Sequence, residues 1–190
     1  EVLTFEDKDT FINKLSGISL SDMKEYNSIE LGNNFELGTK YSSSMKMYYQ
    51  DEDGNNKPFY MGCYGIGLGR IIATLIENNI IVKDDKVKGF VIPYAVAPYK
   101  VHIVYNEQNK DNAFELYNDL LSNDIDCIID DRENLSLGNR INDVSLLGTP
   151  KLIVLGSKFD NMNYEVEDLK TGNKELVSKE EIISYFRKQG

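Results

Sequence analysis

Cationic side chains are in short supply. Lys and Arg total 21 against 31 Asp and Glu, giving a formal net charge of −10 and a pI near 4.7. That balance excludes the broad positive field of a protein that coats nucleic acid, so any RNA contact must come from a local patch. Cysteine is scarcer still. Cys63 and Cys127 stand far apart without the spacing of metal ligands, which argues against structural zinc and for a reducing compartment. A cytoplasmic location is expected on that ground, an organelle being compatible too. Tryptophan is absent, and the single histidine, His102, sits among apolar residues of a strand-like run. A structural imidazole with its hydrogen bonds satisfied is expected there, rather than a ligand or a base. No apolar run reaches membrane length and no signal peptide opens the chain, so no membrane partner is expected. The first residue is Glu1 rather than Met, and a fragment or a processed chain is the expectation. With 41% hydrophobic residues, the chain can bury one sizeable core or two small ones.

Glycine, by contrast, is concentrated in one stretch. Residues 61–70 read Met-Gly-Cys-Tyr-Gly-Ile-Gly-Leu-Gly-Arg. Residues 59–61 read as a strand end, and residues 68–79 carry Leu68, Ile71, Ile72, Leu75 and Ile76 at helical spacing. Glycines at such a junction let another group approach bare backbone, and Arg70 in the first helical turn has a planar fork suited to a phosphate. Two other readings stay open at this point. Gly65-x-Gly67-x-Gly69 is half of a dinucleotide fingerprint, with Asp84 and Asp85 near the ribose-binding spacing, although Arg70 stands where that fingerprint wants glycine. A corner whose glycines serve only close packing is the third.

In chain order, Thr4 with Asp7 caps a predicted helix over residues 4–15, Gly17 ends it, and residues 19–27 are a polar connection. No chemistry is assigned there. Strand texture begins at Ser28. Residues 29–31 alternate, residues 32–34 interrupt, and residues 35–42 and 43–50 continue extended, with Met45, Met47 and Tyr49 on one face. Residues 51–56 contain Asp53-Gly54, a hairpin signal leading to a strand that ends at Met61. Strands so joined are antiparallel. Residues 80–89 are expected to turn, and Pro93 and Pro98 mark an extended connector. The domain boundary is placed there, giving domains of residues 1–93 and 94–190.

Beyond it the texture alternates strand and helix. Strands are predicted over residues 101–105, 126–130 and 151–155. Between them fall helices over residues 111–123 and 140–147, the second stopped by Gly148. Such alternation implies parallel pairing through right-handed crossovers. A hairpin over residues 164–177 turns at Thr171-Gly172, and Ser178 with Glu181 forms a capping box for a last helix carrying Ile182, Ile183 and Phe186.

Several of these strings resemble one family. Gly62-Cys63-Tyr64-Gly65-Ile66-Gly67-x-x-Arg70 is similar to motif 3 of class II aminoacyl-tRNA synthetases, in the form used by bacterial-type prolyl-tRNA synthetases. Leu37-Gly38-Thr39-Lys40-Tyr41-Ser42 resembles the segment that precedes it in the same family. Glu30, Gly32 and Phe35 agree with the family's active-site strand, while Asn33 replaces its usual His and Glu36 its usual Gln. In the second half, Ala97-Pro98-Tyr99-x-Val101-His102-Ile103, Asp130-Asp131-Arg132-Glu133, Gly138, Arg140, Asp143 and Leu146-Leu147-Gly148-Thr149-Pro150 resemble the anticodon-binding domain of class IIa synthetases.

The resemblance implies an α/β and α+β fold. Part of an antiparallel class II catalytic domain would be followed by a mixed-sheet anticodon-binding domain. It implies proline–tRNA ligase activity for the whole protein, with ATP and Mg2+ as cofactors, and tRNA(Pro), proline and a second copy of the chain as partners. Arg70 would hold the γ-phosphate of ATP as the catalytic residue, beside Glu30, Asn33 and Gly67 at the nucleotide. Phe35, Cys63 and Gly65 would line the proline pocket, with Cys63 a wall rather than a nucleophile. Asp131, Arg132 and Arg140 would meet the anticodon, and Lys151 would join the two arginines in a cationic rim giving weak, salt-sensitive RNA binding. For Asp130 and Asp131, a strand end hydrogen-bonded to loop backbone is the other reading. No metal ligand is assigned. Motifs 1 and 2 and the editing domain have no counterpart in the sequence, so these residues alone are expected to be inactive. The alternative is a non-catalytic, synthetase-like paralogue that binds nucleic acid.

Overall fold

The structure is a computed structural model that describes Lys24 and residues 26–189. The helix expected over residues 4–15 lies outside these residues. Two units are distinguished, Glu1–Glu30 and Leu31–Gly190. The described residues of the first are exposed and carry neither helix nor strand. Among the described residues no helix is long and apolar enough to cross a membrane.

The second unit opens with β1 (Gly32–Gly38), α1 (Lys40–Ser44), β2 (Tyr48–Gln50), β3 (Asn56–Pro58), β4 (Met61–Ile66), α2 (Leu68–Glu77), β5 (Ile80–Lys83) and β6 (Lys86–Phe90). These strands form three antiparallel pairs, β1 with β4, β2 with β3 and β5 with β6. The dinucleotide reading needs a parallel sheet, and these pairings do not provide one. Several expectations are corrected. Gly32, Asn33 and Asn34 belong to β1 instead of interrupting it. Residues 40–44 coil into a helix instead of staying extended. Ser42 is responsible: its hydroxyl donates to the carbonyls of Thr39, at 3.1 Å, and Phe59, at 2.5 Å, and the side chain is buried. The glycine-rich stretch begins a strand at Met61 instead of ending one. Residues 80–90 form a hairpin whose two-residue turn, Asp84-Asp85, has both φ angles positive, at 53° and 56°.

After a 3-10 turn over Tyr94–Val96, which replaces the expected extended connector, come β7 (Val101–Tyr105), a 3-10 turn over Glu107–Asn109, α3 (Lys110–Ser122), β8 (Cys127–Asp130), α4 (Leu137–Val144), β9 (Lys151–Leu155), β10 (Asn163–Asp168), β11 (Lys174–Ser178) and α5 (Ile182–Arg187). They build a mixed five-stranded sheet in the order β11-β10-β9-β7-β8. β7 is parallel to both β8 and β9, while β10 runs antiparallel to β9 and β11. Alternate residues of β7 serve the two faces. Val101, Ile103 and Tyr105 join the main core with Leu116 and Leu120 of α3 and Ile182 and Phe186 of α5. Val104 meets Val144 of α4 and Leu152 on the other face.

Two caps differ from expectation. The Ser136 hydroxyl accepts from the Asn139 amide at 3.2 Å, so α4 starts at Leu137 and ends at Val144, ahead of Gly148. Ser178 donates to the Glu181 carboxylate at 2.9 Å, closing a turn before α5 in place of a capping box. The segment after α4 packs backbone against backbone on β6. Phe90 N donates to Ser145 O at 3.0 Å and Ile92 N to Gly148 O at 2.8 Å. Gly148, at φ +71°, leaves no room for a Cβ because the Phe90 ring occupies the space.

Candidate functional site

The glycine stretch gains its geometry from strand register. In the β1–β4 pair, Asn33 faces Gly65 and Phe35 faces Cys63, so all four lie on one face of the ribbon. A Cβ on Gly65 would sit 3.5 Å from Cε2 of Phe35, so the ring lies against bare backbone. Phe35 is 47% exposed and Cys63 is an exposed free thiol. Gly67 N donates to Leu31 O at 2.8 Å and ends the pairing where α2 begins. Arg70, one turn into that helix, folds back: its Nε lies 3.1 Å from where a Gly67 Cβ would stand. Glu30 falls at the end of the preceding unit and is exposed. One contact was not legible from sequence: Tyr60 donates its hydroxyl to the Glu36 carboxylate, engaging the acid that replaces the expected Gln.

A second site lies at the carboxyl ends of parallel strands β7 and β8, the edge where open α/β sheets receive ligands. A cavity of about 250 Å³ opens there, and Asp131, Arg132 and Arg140 all line it. Tyr105, Glu107 and Glu133 line it too, although the sequence assigns them no role; their place at or just past two parallel strand ends is the signal that finds them. Arg132 donates to the Asp130 carboxylate from Nε, at 3.0 Å, and Nη2, at 2.7 Å, and reaches Asp143 of α4 from Nη1 at 3.0 Å. Hydrogen bonding by Arg132 holds the Asp130 carboxyl below the usual carboxylate range, against the opposing effect of burial. Asp130 also accepts from the Arg132 amide at 3.1 Å, the strand-end arrangement that was the other reading of this residue.

The expected cationic rim does not form as an exposed row. Arg140 is buried, donating to Asp130 O and Tyr105 O. Lys151 is buried as well, 2.9 Å from Asp168. Only Arg132 of the three keeps a largely accessible side chain, 46% exposed. His102 also departs from expectation. It is 2% exposed and neither ring nitrogen has a hydrogen-bond partner, so burial pushes its pKa below the ordinary value of 6.5. Cys127 is buried and its thiol is pushed up to about 12 by the same cause.

A mixed five-stranded sheet with helices on both faces fits an anticodon-binding domain. The profile of that family, described as the anticodon binding domain, matches residues 93–189, and the chain belongs to it. Two relatives extend the likeness upstream. A protein of Aliarcobacter butzleri (strain RM4018) named proline–tRNA ligase is 42% identical over 160 residues, covering 82% of this chain and 27% of the relative. One of Aquifex aeolicus (strain VF5) with the same name is 40% identical over 173 residues, covering 89% of this chain and 29% of the relative. The chain therefore spans less than a third of the length of either.

Proposed function

We propose that the chain is the carboxyl-terminal part of a prolyl-tRNA synthetase. Its residues 1–93 would complete the class II catalytic domain, and its residues 94–190 would bind the anticodon of tRNA(Pro). The observation that carries this reading is the β1–β4 register, which gathers Phe35, Cys63 and Gly65 on one face with Arg70 folded over Gly67 at its end. The names of the two relatives support it. The pyrrolidine ring of proline is compact and apolar, and the Phe35 ring, the Cys63 thiol and the side-chain-free backbone of Gly65 offer it a matching wall. Asn33, Gly67 and Arg70 then face ATP. Gly67 leaves space beside Arg70 that a Cβ would fill, as an approaching phosphate requires, and the guanidinium fork suits the γ-phosphate. The reaction joins the proline carboxylate to the α-phosphate of ATP with loss of pyrophosphate, and then passes the prolyl group to the terminal ribose of tRNA. Arg70 steadies the charge that builds on the departing phosphates. Magnesium would enter with the phosphates of ATP, which need few protein ligands to hold it; among the described residues no group of three or more His, Cys, Asp or Glu could hold a metal ion by itself. A homodimer and a cytoplasmic location belong to the same reading of the whole protein.

The test is a graft. This sequence replaces the matching segment of the Aliarcobacter butzleri relative, and proline-dependent exchange of pyrophosphate into ATP is measured. Exchange is expected, falling by about 10²–10³ in Arg70→Ala. Full exchange in that variant contradicts the role of Arg70. Absence of exchange with tRNA binding retained would instead favour the non-catalytic paralogue.

A further inference from the structure

We infer that Arg140 is a positioning residue: it ties the carboxyl ends of β7 and β8 together and so fixes the shape of the cleft, without touching RNA itself. The inference rests on the reading of that cleft as the anticodon site. Tyr105 and Asp130 are the last residues of β7 and β8, and the final register pair joins Val104 to Asp130. Past this point the chains separate, one into the 3-10 turn over Glu107–Asn109 and the other into the loop before α4. Nothing in a parallel ladder holds strand ends that diverge. Arg140, reaching across from α4, supplies the missing tie. Its Nη1 donates to Asp130 O at 2.8 Å and its Nη2 to Tyr105 O. Its guanidinium carbon lies 5.3 Å from the centroid of the Tyr105 ring. One planar group thus bridges two strands and packs on an aromatic face, a combination that an ammonium does not reproduce.

The same geometry removes Arg140 from direct contact with a ligand. The residue is 8% exposed, and its Nε is sealed from solvent and without a partner, so a phosphate entering the cleft meets a wall and not an open donor. Arg132 differs in kind. Its side chain is exposed on the same cleft, and its partners are the carboxylates of Asp130 and Asp143, which a phosphate can displace. A comparable tie secures the neighbouring strand, where Asn109 Nδ2 donates to Leu155 O at 3.2 Å and Gly156 O at 2.7 Å. The ends of β8, β7 and β9 are therefore pinned by side chains in sequence across the sheet.

The experiment uses the 190-residue chain, a tRNA(Pro) transcript, and the same transcript with its anticodon bases replaced. Arg140→Gln is expected to weaken binding of tRNA(Pro) by about tenfold and to erase most of the preference over the altered transcript, the size of one lost base contact. The slope of log Kd against log salt should stay as in the parent, whereas Arg132→Gln should reduce it by about one. Amide exchange in free Arg140→Gln should quicken at residues 104–109 and 130–132 and remain unchanged in β10, and Arg140→Lys should restore part of both protection and preference. A salt slope reduced by about one in Arg140→Gln would make the residue an RNA contact and overturn the inference. Unchanged exchange at the strand ends, or an unchanged preference, would overturn it too. If the parent chain shows no preference between the two transcripts, the anticodon reading itself fails, and with it the functional half of the inference; the exchange data then report separately on whether Arg140 holds the strand ends.

Discussion

Residues 31–92 and residues 93–189 carry the same kinds of amphipathic pattern and put them to different use. Among the described residues, the buried apolar side chains run from Val91 to Phe186, and every one except Val91 lies in the second region. There, a five-stranded sheet has α3 and α5 on one face and α4 on the other. The first region has three two-stranded ribbons, the short helix α1 and a longer helix, α2, whose apolar stripe buries no residue. Phe35, Tyr64, Ile66, Leu68 and Ile72 remain exposed. Periodicity therefore fixes which residues would face a core, but whether a core exists depends on how many elements are present to close it. A hairpin-sized sheet has two faces and little to cover them. The relatives that share this region are more than three times as long as the chain.

The sharpest contrast is expected in truncation. Leu120→Ala, in the main core, should cost about 2–5 kcal/mol in denaturant unfolding, while Ile72→Ala on α2 should stay within about 0.5 kcal/mol. Equal costs would erase the distinction between the regions. Next in size is Asp130→Ala, which strips the Arg132 amide and guanidinium of their acceptor and should cost about 1–3 kcal/mol. Because the folded Asp130 carboxyl lies below its ordinary value of 3.8, its contribution is complete above that pH and is lost as pH falls through the lower folded value. Asp130→Ala should thus narrow its gap from the parent at strongly acid pH. Acidification should also act earlier, through His102. Its folded pKa is below 6.5, so the unfolded chain takes up the proton first, and stability should drop by up to about 1.4 kcal/mol per pH unit once pH passes below that value. His102→Leu should remove this component, seen as a flatter pH profile between neutrality and the carboxylate range. The smallest effect belongs to the first region. Replacing Asp84-Asp85, both at positive φ, by Asn-Gly should gain about 1 kcal/mol by relieving left-handed backbone, read as a raised melting temperature.

Much of the second region was legible in the sequence because its elements are decided locally. The bounds of β7 and β9 coincide with the apolar runs at residues 101–105 and 151–155, and α3 follows its amphipathic stripe to within a residue. The grouping of Asp131, Arg132 and Arg140 around one cavity likewise follows from strand ends and the helix after them. What escaped was decided at long range. Helix α1 depends on a hydroxyl of Ser42 reaching Phe59, a partner that no window around residue 42 contains. The β5–β6 turn uses two aspartates in left-handed conformation, a pairing that turn statistics assign to Asn-Gly. Arg140 and Lys151 look like surface cations by residue type, and only the fold places carbonyls and Asp168 where they are buried and satisfied. The His102 ring was expected to find hydrogen bonds, and its two nitrogens have none, since β7 is flanked on both sides by parallel strands that present Ile128 and Leu152 beside it.

The most direct measurement is a titration of the isotopically labelled chain with the anticodon arm of tRNA(Pro), followed by amide chemical shifts. Shifts gathered at Asn106, Glu107, Asp131, Arg132 and Glu133, with Cys63, Gly65 and Gly67 silent and the response lost when the anticodon bases are changed, are the predicted result. Shifts scattered away from the carboxyl edge of β7 and β8, or identical for the altered arm, would contradict the assignment of this cleft to the anticodon.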